Sequence, residues 1–318
     1  MQCRDLSAFD EVESMLALVT GGAGFIGSHL VDRLLSDGHE VCLFDDFSTG
    51  KTEHVPRHER LAVVRGSVAD YKAVEAVMED VDWVFHHAAV ASVVKTVNDP
   101  VGSQRTNYQG TLNILDVGRR NGVRRVVFAS SAAVYGDRPE LPKTEAMKPR
   151  PLSPYAVDKL ASEYACQVFR RLYGLETVCL RYFNVYGPRQ DPSSPYSGVI
   201  SVFVDRLARG LQPVIFGDGT QTRDFVFVQD VVEANLAAVT TDAAAGRTFN
   251  IGTGEQASLH ALLQALCRIM DMPFSPEYAP ERQGDIKHSL AQISKAKDIL
   301  NWEPRIDLEQ GLRRLLAR

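Results

Sequence analysis

The sequence predicts an α/β fold, a doubly wound parallel sheet followed by a smaller C-terminal lobe. Three observations carry that expectation. Short continuous apolar runs alternate with helical patterns through the first half, and a glycine-rich turn follows the first run and opens a helix. Near residue 184 the rhythm breaks, where Pro188, Pro192, Pro195 and Pro213 punctuate loops and short helices. Continuous apolar runs suit strands covered on both faces, and alternating strands and helices put ligands at the carboxyl ends of the strands.

Taken in order, the first strand is MLALVT (15–20), and VTGGAGFIG then opens a helix over 25–37. VCLFD (41–45), LAVVRG (61–66), VDWVFHHAA (81–89), RRVVFASS (124–131) and ETVCLRYF (176–183) are the strands that follow, with helices over 98–121 and 154–173. Ser153 as N-cap and Pro154 at the first helical position start the last of these helices, and Gly174 stops it. Beyond the break, RDFVFVQD (223–230) and RTFNIG (247–252) read as strands again, and the loop-rich 272–289 precedes two final helices. The expected organisation is an extension over 1–14, a dinucleotide-binding domain over 15–183 to which segments near 223–252 return, and a lobe built from 184–222 and 253–318. There is no internal repeat or low-complexity segment.

The 318 residues are 45% hydrophobic and 24% charged, the profile of a soluble globular chain with a substantial core. A net charge of -5 argues against a nucleic-acid surface, and Arg119-Arg120 and Arg313-Arg314 read as solvated helix ends. No apolar run approaches the roughly 18 residues that span a bilayer. Residues 1–14 carry acids and no apolar core, so they do not read as a signal peptide, and Met15 offers an alternative start. Five cysteines without CxxC or Cys/His spacing fit reduced cytoplasmic thiols. His86 and His87 point to opposite faces of a strand and lack a third ligand, so no metal site is expected.

The turn VTGGAGFIG spaces Gly21, Gly24 and Gly27 three apart and holds a literal GxGxxG from Gly22. Glycines serve where backbone turns tightly, approaches a pyrophosphate and packs helix on strand, and the helix N-terminus offers free N–H groups to phosphate. Asp45, at the end of the next strand, is placed to accept from ribose hydroxyls. With Asp46 beside it and no adjacent arginine, a 2′-phosphate is repelled, which favours NAD over NADP. The alternative is a structural glycine turn with solvated aspartates.

SPYAVDK (153–159) puts Tyr155 in the first turn of its helix and Lys159 one turn on, along the same face. The lysine cation and the positive end of the helix dipole both favour a phenolate, and bringing a phenol near neutrality takes roughly three pKa units, about 4 kcal/mol. Taken alone, that spacing favours a tyrosine packed on the fold beside a solvated lysine. Ser131, in SSAAVYG at the end of the fifth strand, changes the balance, because it lies where a cofactor's reactive ring belongs.

Glycine loop, strand-end serine and tyrosine–lysine pair, in this order, resemble the short-chain dehydrogenase/reductase superfamily. TGGAGFIG, the chain length and the C-terminal lobe resemble its extended branch of nucleotide-sugar epimerases and dehydratases, over residues 15 to 318. The resemblance implies a Rossmann-like sheet with a substrate-binding C-terminal lobe. It implies a catalytic set of Ser131, Tyr155 and Lys159, with serine bonding the sugar hydroxyl, tyrosine as general base and lysine on the nicotinamide ribose. It assigns NAD to Gly21, Gly24, Phe25, Ile26, Gly27, Asp45, Asp46, Ser48, Thr49, Gly50, Ser67, Val68, Ala88, Ala89, Asn107, Tyr155, Lys159 and Tyr182. Ser67 stands where the family usually has an aspartate against adenine, and Asn107 is expected to fix active-site backbone. Homodimerisation through the helices over 98–121 and 154–173 is implied as well.

Dehydratases of this branch carry an Asp-Glu pair or a glutamate beside the catalytic serine, where this chain has Ala132 and Ala133. That leaves epimerisation, in which the keto-sugar turns over and takes hydride back. RYFNVYGPRQDP, YSGVI, TRDF and ERQGDIKHSLAQISKA resemble the UDP-hexose 4-epimerases, the last one those acting on UDP-N-acetylglucosamine. By this resemblance Ser92, Ser131, Asn184, Gly198, Val199, Arg223, Arg282, Asp285 and Ser289 contact the UDP-sugar, the two arginines pairing with diphosphate. For each arginine alone, a surface ion pair is the competing explanation. Ser289 aligns with a wall position that is often tyrosine in glucose/galactose enzymes, and Ala91 replaces a lysine found in some of them. A small residue leaves room for an acetamido group, so UDP-GlcNAc/UDP-GalNAc interconversion is expected, with UDP-glucose/UDP-galactose turnover alongside it. A UDP-glucuronate 4-epimerase or decarboxylase, and a non-catalytic NAD-binding regulator, are the competing readings.

Overall fold

The computed structural model describes residues 14–191, 198–281 and 286–317. In chain order its first elements are β1 (Leu16–Thr20), α1 (Phe25–Ser36), β2 (Glu40–Asp45), β3 (Leu61–Arg65), α2 (Tyr71–Glu75), β4 (Trp83–His86), α3 (Val93–Asn98), α4 (Pro100–Gln104), α5 (Gly110–Arg120), β5 (Arg125–Ser131), α6 (Pro154–Tyr173) and β6 (Glu176–Tyr182). There follow β7 (Asn184–Tyr186), α7 (Val199–Ala208), β8 (Val214–Phe216), β9 (Thr222–Arg223), β10 (Phe225–Phe227), α8 (Val228–Thr240), β11 (Thr248–Ile251), β12 (Ala257–Ser258), α9 (Leu259–Ile269), β13 (Glu277–Ala279), α10 (Ser294–Leu300) and α11 (Leu308–Leu316). Seven of these strands make one parallel sheet in the order β11-β6-β5-β4-β1-β2-β3, a Rossmann-like arrangement.

The sheet is covered on both faces, which explains its continuous apolar strands. Ala17, Val19, Val127 and Leu180 meet α1, α8 and α10 on one side, while Leu18, Val126, Phe128 and Cys179 meet α5 and α6 on the other. The reversal of order between β1 and β4 opens a crevice at the strands' carboxyl ends. A third cluster joins Phe203, Ile215, Phe227, Leu262, Leu263 and Leu266 in the smaller lobe. Arg125, buried, stitches α8 to the sheet by donating to the carbonyls of Val239 and Thr241 at 2.8 Å each and pairing with Glu176 at 2.6 Å. Among the described residues no helix is long and apolar enough to cross a membrane.

Three expected elements differ. The helix over 98–121 is interrupted: Asp99 caps a fresh start at Pro100, and residues 105–109 form a π-turn before α5. The strand over 81–89 stops at His86, because His87–Val90 leave the ladder to line the crevice. The strand over 223–230 stops at Phe227, pairs with β7 outside the main sheet, and gives way to α8. Buried Val228, Val231, Val232, Asn235, Ala238 and Val239 follow a helical period that overrides the short alternation before it. β11 does join the main sheet, and Ala296, Leu300 and Trp302 near the C-terminus pack into its core.

Candidate active site

The crevice at the switch point holds a cavity of about 340 Å³ floored by the glycine turn. Gly21 has φ 68°, and a Cβ there would meet the Ala88 nitrogen at 2.8 Å. At Gly27 a Cβ would press into the Gly21 carbonyl, so helix and turn touch only because both residues lack one. The α1 N-terminus has no side-chain cap, and Gly24 to Gly27 line the cavity. At its far end buried Asp45 is pinned by the Ala23 N–H at 3.0 Å and the Phe47 N–H at 2.8 Å. Burial holds that carboxyl above the usual carboxylate range, the two amide bonds pulling the other way. Uncapped amides at one end and a fixed carboxylate at the other fit a dinucleotide's pyrophosphate and ribose.

This packing makes a prediction. Gly27→Ala is expected to weaken dinucleotide binding by roughly 10–100-fold, the equivalent of the about 1–3 kcal/mol that overpacking costs. Titration of the stripped protein with the dinucleotide measures it, and unchanged affinity would mean the turn does not hold the pyrophosphate.

Ser153 Oγ accepts from Ala156 N at 3.2 Å and starts α6 at Pro154, as expected. Lys159, fully buried one turn on, donates to the Ala129 carbonyl at 2.6 Å and lies 5.8 Å from the Tyr155 ring centre. Burial lowers its pKa to about 8, against the pull of Asp158 and Glu163. The phenol departs from the expectation that lysine and dipole set its acidity. Burial pushes Tyr155 above its ordinary value, and the hydrogen bond with Ser131 is what pulls it down. Desolvation penalises a phenolate more than one hydroxyl rewards it.

Of the residues expected at the cofactor, all but Gly50 and Asn107 line this cavity. Gly50 packs instead against the Asp45 carboxylate, where a Cβ would meet an oxygen at 2.8 Å. Asn107 bonds both backbone groups of Val90 and, at 3.4 Å, Asp158. Lys51, His54, His87, Val90, Thr106 and Arg189 line the cavity without having been anticipated. Lys51 directly follows the expected Ser48–Gly50, a signal within reach, whereas Arg189 arrives from the lobe boundary with φ 66° and an ion pair to Asp32 at 2.7 Å. His87 stacks on Tyr182 with ring planes 14° apart, and burial lowers its pKa to about 4.

Three of the expected substrate contacts, Asn184, Arg223 and Ser289, are linked around a second buried acid. Asp224, wholly buried, accepts from Thr253 N and Oγ1 at 2.7 Å each, Gly254 N at 3.0 Å and Ala291 N at 3.1 Å. It thereby ties together the strand bearing Arg223, the loop after β11 and the segment bearing Ser289. The Ser289 N–H donates to the Thr222 carbonyl at 3.1 Å, Arg223 donates to the same carbonyl at 2.9 Å, and Asn184 N donates to the Asp224 carbonyl at 3.0 Å. Gly198 caps α7 ahead of Val199, and Ser92 caps α3 by accepting from Lys95 N at 3.2 Å. Arg282 and Asp285 lie outside the described residues.

The UDP-glucose 4-epimerase of Mycolicibacterium smegmatis is 41% identical over 303 residues, covering 94% of this chain and 96% of that protein. Among solved structures, the UDP-glucose 4-epimerase of Thermotoga maritima with UDP-glucose is 40% identical with a TM-score of 0.92, covering 95% of this chain and 98% of that one. The UDP-N-acetylglucosamine 4-epimerase of Methanobrevibacter ruminantium, in complex with UDP-N-acetylmuramic acid, is 38% identical with a TM-score of 0.92, covering 96% and 97%. Residues 17–252 match the profile of the NAD dependent epimerase/dehydratase family, and it is to this NAD-using family of the extended short-chain dehydrogenase/reductase type that the chain belongs.

Proposed function

We propose that the protein is a UDP-sugar 4-epimerase that interconverts UDP-GlcNAc and UDP-GalNAc and turns over UDP-glucose and UDP-galactose as well. The observation that carries the epimerase reading is Tyr155 set next to Ser131, which pulls the phenol's pKa down, with buried Lys159 one turn on and Ala132 and Ala133 directly after the serine. NAD⁺, when bound in the cleft, would supply a reversible hydride acceptor. Tyr155 takes the proton from the C4 hydroxyl and later gives it back, Ser131 holds that oxygen, and Lys159 keeps a positive charge close to the phenol. Neither alanine can transfer a proton, so no group beside the serine is available to expel water from the keto-sugar.

The acetamido preference rests on Ser289, small, half-buried and set beside Arg223 through the shared Thr222 carbonyl. Replacing it with tyrosine is expected to lower kcat/KM for UDP-GlcNAc by roughly 10–100-fold while UDP-glucose turnover stays within a few-fold, because an added ring overpacks only the larger substrate. Equal losses on both sugars would remove Ser289 from the pocket wall.

A second copy of the chain is the proposed partner. Val97, Val101, Val157, Tyr164, Val168 and Leu172 stand exposed on α3, α4 and α6, which pack side by side, an apolar face of the kind that marks an interface. Light scattering is expected to give twice the chain mass of 35.1 kDa, and a single monomeric mass would refute it.

A further inference from the structure

We infer that His86 is a positioning residue, a neutral imidazole locked as its Nε2–H tautomer whose hydrogen bonds hold the Ala88–Val90 wall of the cofactor cleft. The inference rests on the family's use of NAD and not on which sugar is turned over. Thr20, His86, Thr111 and Asn107 are each at most 1% exposed, so every proton among them needs an acceptor within the protein. Ala88 N donates to Thr20 Oγ1 at 3.2 Å, Thr20 Oγ1 lies 2.7 Å from His86 Nδ1, and His86 Nε2 lies 3.1 Å from Thr111 Oγ1. Thr111 Oγ1 in turn donates to the Asn107 carbonyl at 2.7 Å.

The Thr20 end decides the proton arrangement. Thr20 Oγ1 receives the Ala88 N–H, so its own proton goes to Nδ1, which is bare, and Nε2 carries the hydrogen that Thr111 Oγ1 accepts. At the other end the Asn107 carbonyl takes the Thr111 proton, and Ser162 Oγ, also buried, lies 3.3 Å from Thr111 Oγ1 and 3.4 Å from that carbonyl. The opposite tautomer, or an imidazolium, would leave the Thr20 proton without an acceptor among the described residues, at the cost of an unsatisfied buried donor. Burial, with the Lys159 charge adding to it, keeps the ring neutral and lowers its pKa to about 3.

The relay begins and ends at the cleft. Ala88 is held through Thr20, and Asn107, at the other end, accepts from Val90 N at 2.7 Å and donates to the Val90 carbonyl at 3.3 Å. The Ala88 end of the wall is therefore fixed through the buried ring, and the Val90 end by the side chain of the residue whose backbone carbonyl closes the chain. The glycine turn rests on the same segment, since a Gly21 Cβ would meet Ala88 N at 2.8 Å. Asn107 lies in the π-turn over 105–109, an irregularity that often marks a functional position and here brings its amide to Val90.

Long-range ¹H–¹⁵N spectra of histidine-labelled wild-type protein provide the first test. His86 is expected to carry its proton on Nε2 and to show no titration between about pH 5.5 and 8.5, the range in which a free imidazole changes charge. A proton on Nδ1, or titration in that range, would overturn the inference. The second test replaces Thr20 with valine, which keeps the volume and removes the hydroxyl. NAD affinity of the stripped protein is expected to fall roughly 10–100-fold, the consequence of one broken buried hydrogen-bond chain, and Thr20→Ser to restore most of it. Leu266→Ala, remote in the smaller lobe, is the control for lost stability and should leave NAD affinity within a few-fold. Wild-type affinity in Thr20→Val, or an equal loss in Leu266→Ala, would reduce the relay to ordinary core packing.

Discussion

Replacing Tyr155 with phenylalanine lowers turnover by roughly 10²–10⁴-fold, the contribution of a positioned general base, while the protein stays folded and keeps its NAD. The expectation follows from position. Tyr155 occupies the first turn of α6, Ser131 lies close enough to pull its pKa down, and Lys159 is anchored on the Ala129 carbonyl with its ammonium 5.8 Å from the ring centre. Burial alone keeps this phenol protonated. Ser131 is the group that opposes it. Single-turnover reduction of bound NAD⁺ by the UDP-sugar measures the step directly, and near-normal rates in the variant would remove the tyrosine from the mechanism.

The second large effect concerns stability. Glu163, on the face of α6 opposite the solvent, receives Arg181 Nε at 2.9 Å and Nη2 at 2.7 Å, and the Ser130 hydroxyl at 2.5 Å. Arg181 also donates to the Tyr135 hydroxyl at 2.9 Å, which donates at 2.6 Å to Asn250 of β11. Burial opposes the guanidinium charge, but the bond to Glu163 outweighs it and leaves the arginine pKa raised. Glu163→Ala strands that charge among groups that cannot replace the carboxylate, and is expected to cost about 3–5 kcal/mol in denaturant unfolding. The double variant Glu163→Leu with Arg181→Met is expected to recover much of the loss, because an apolar pair of similar volume avoids desolvating either ion. A single variant within about 1 kcal/mol of wild type would show that the network does not brace the helix bearing Tyr155 and Lys159.

How much of this is legible in the sequence depends on the range of the signal. Helix α6 is readable to the residue, because Ser153, Pro154 and Gly174 act on the backbone next to them. The six strands from β1 to β6 are readable because both faces of the sheet are covered, and the glycine turn with Asp45 because a phosphate cradle needs those residue types at those places. Where local signals compete, the reading fails. RDFVFVQD alternates like a strand for a few residues, but the helical period from Val228 onward extends further and prevails. The helix over 98–121 breaks at Asp99–Pro100, a local cap, and again at the π-turn over 105–109, where Asn107 meets Val90 in a contact the local pattern does not encode. The acidity of Tyr155 is not legible for a related reason, since burial is a property of the packed fold and not of SPYAVDK. Arg181 with Glu163, Asp224 with Ala291, and His86 with Thr20 and Thr111 are pairs distant in sequence whose polar character alone says nothing of their partners.

The proposed activity has this chain invert C4 of a UDP-hexose while keeping its own NAD. The most direct measurement is ¹H NMR of UDP-GlcNAc incubated with the purified protein and no added cofactor. UDP-GalNAc is expected to appear, approaching one equilibrium ratio from either sugar, with no net change in NAD. Failure to convert UDP-GlcNAc, UDP-glucose or their C4 epimers, even after NAD is supplied, would contradict it.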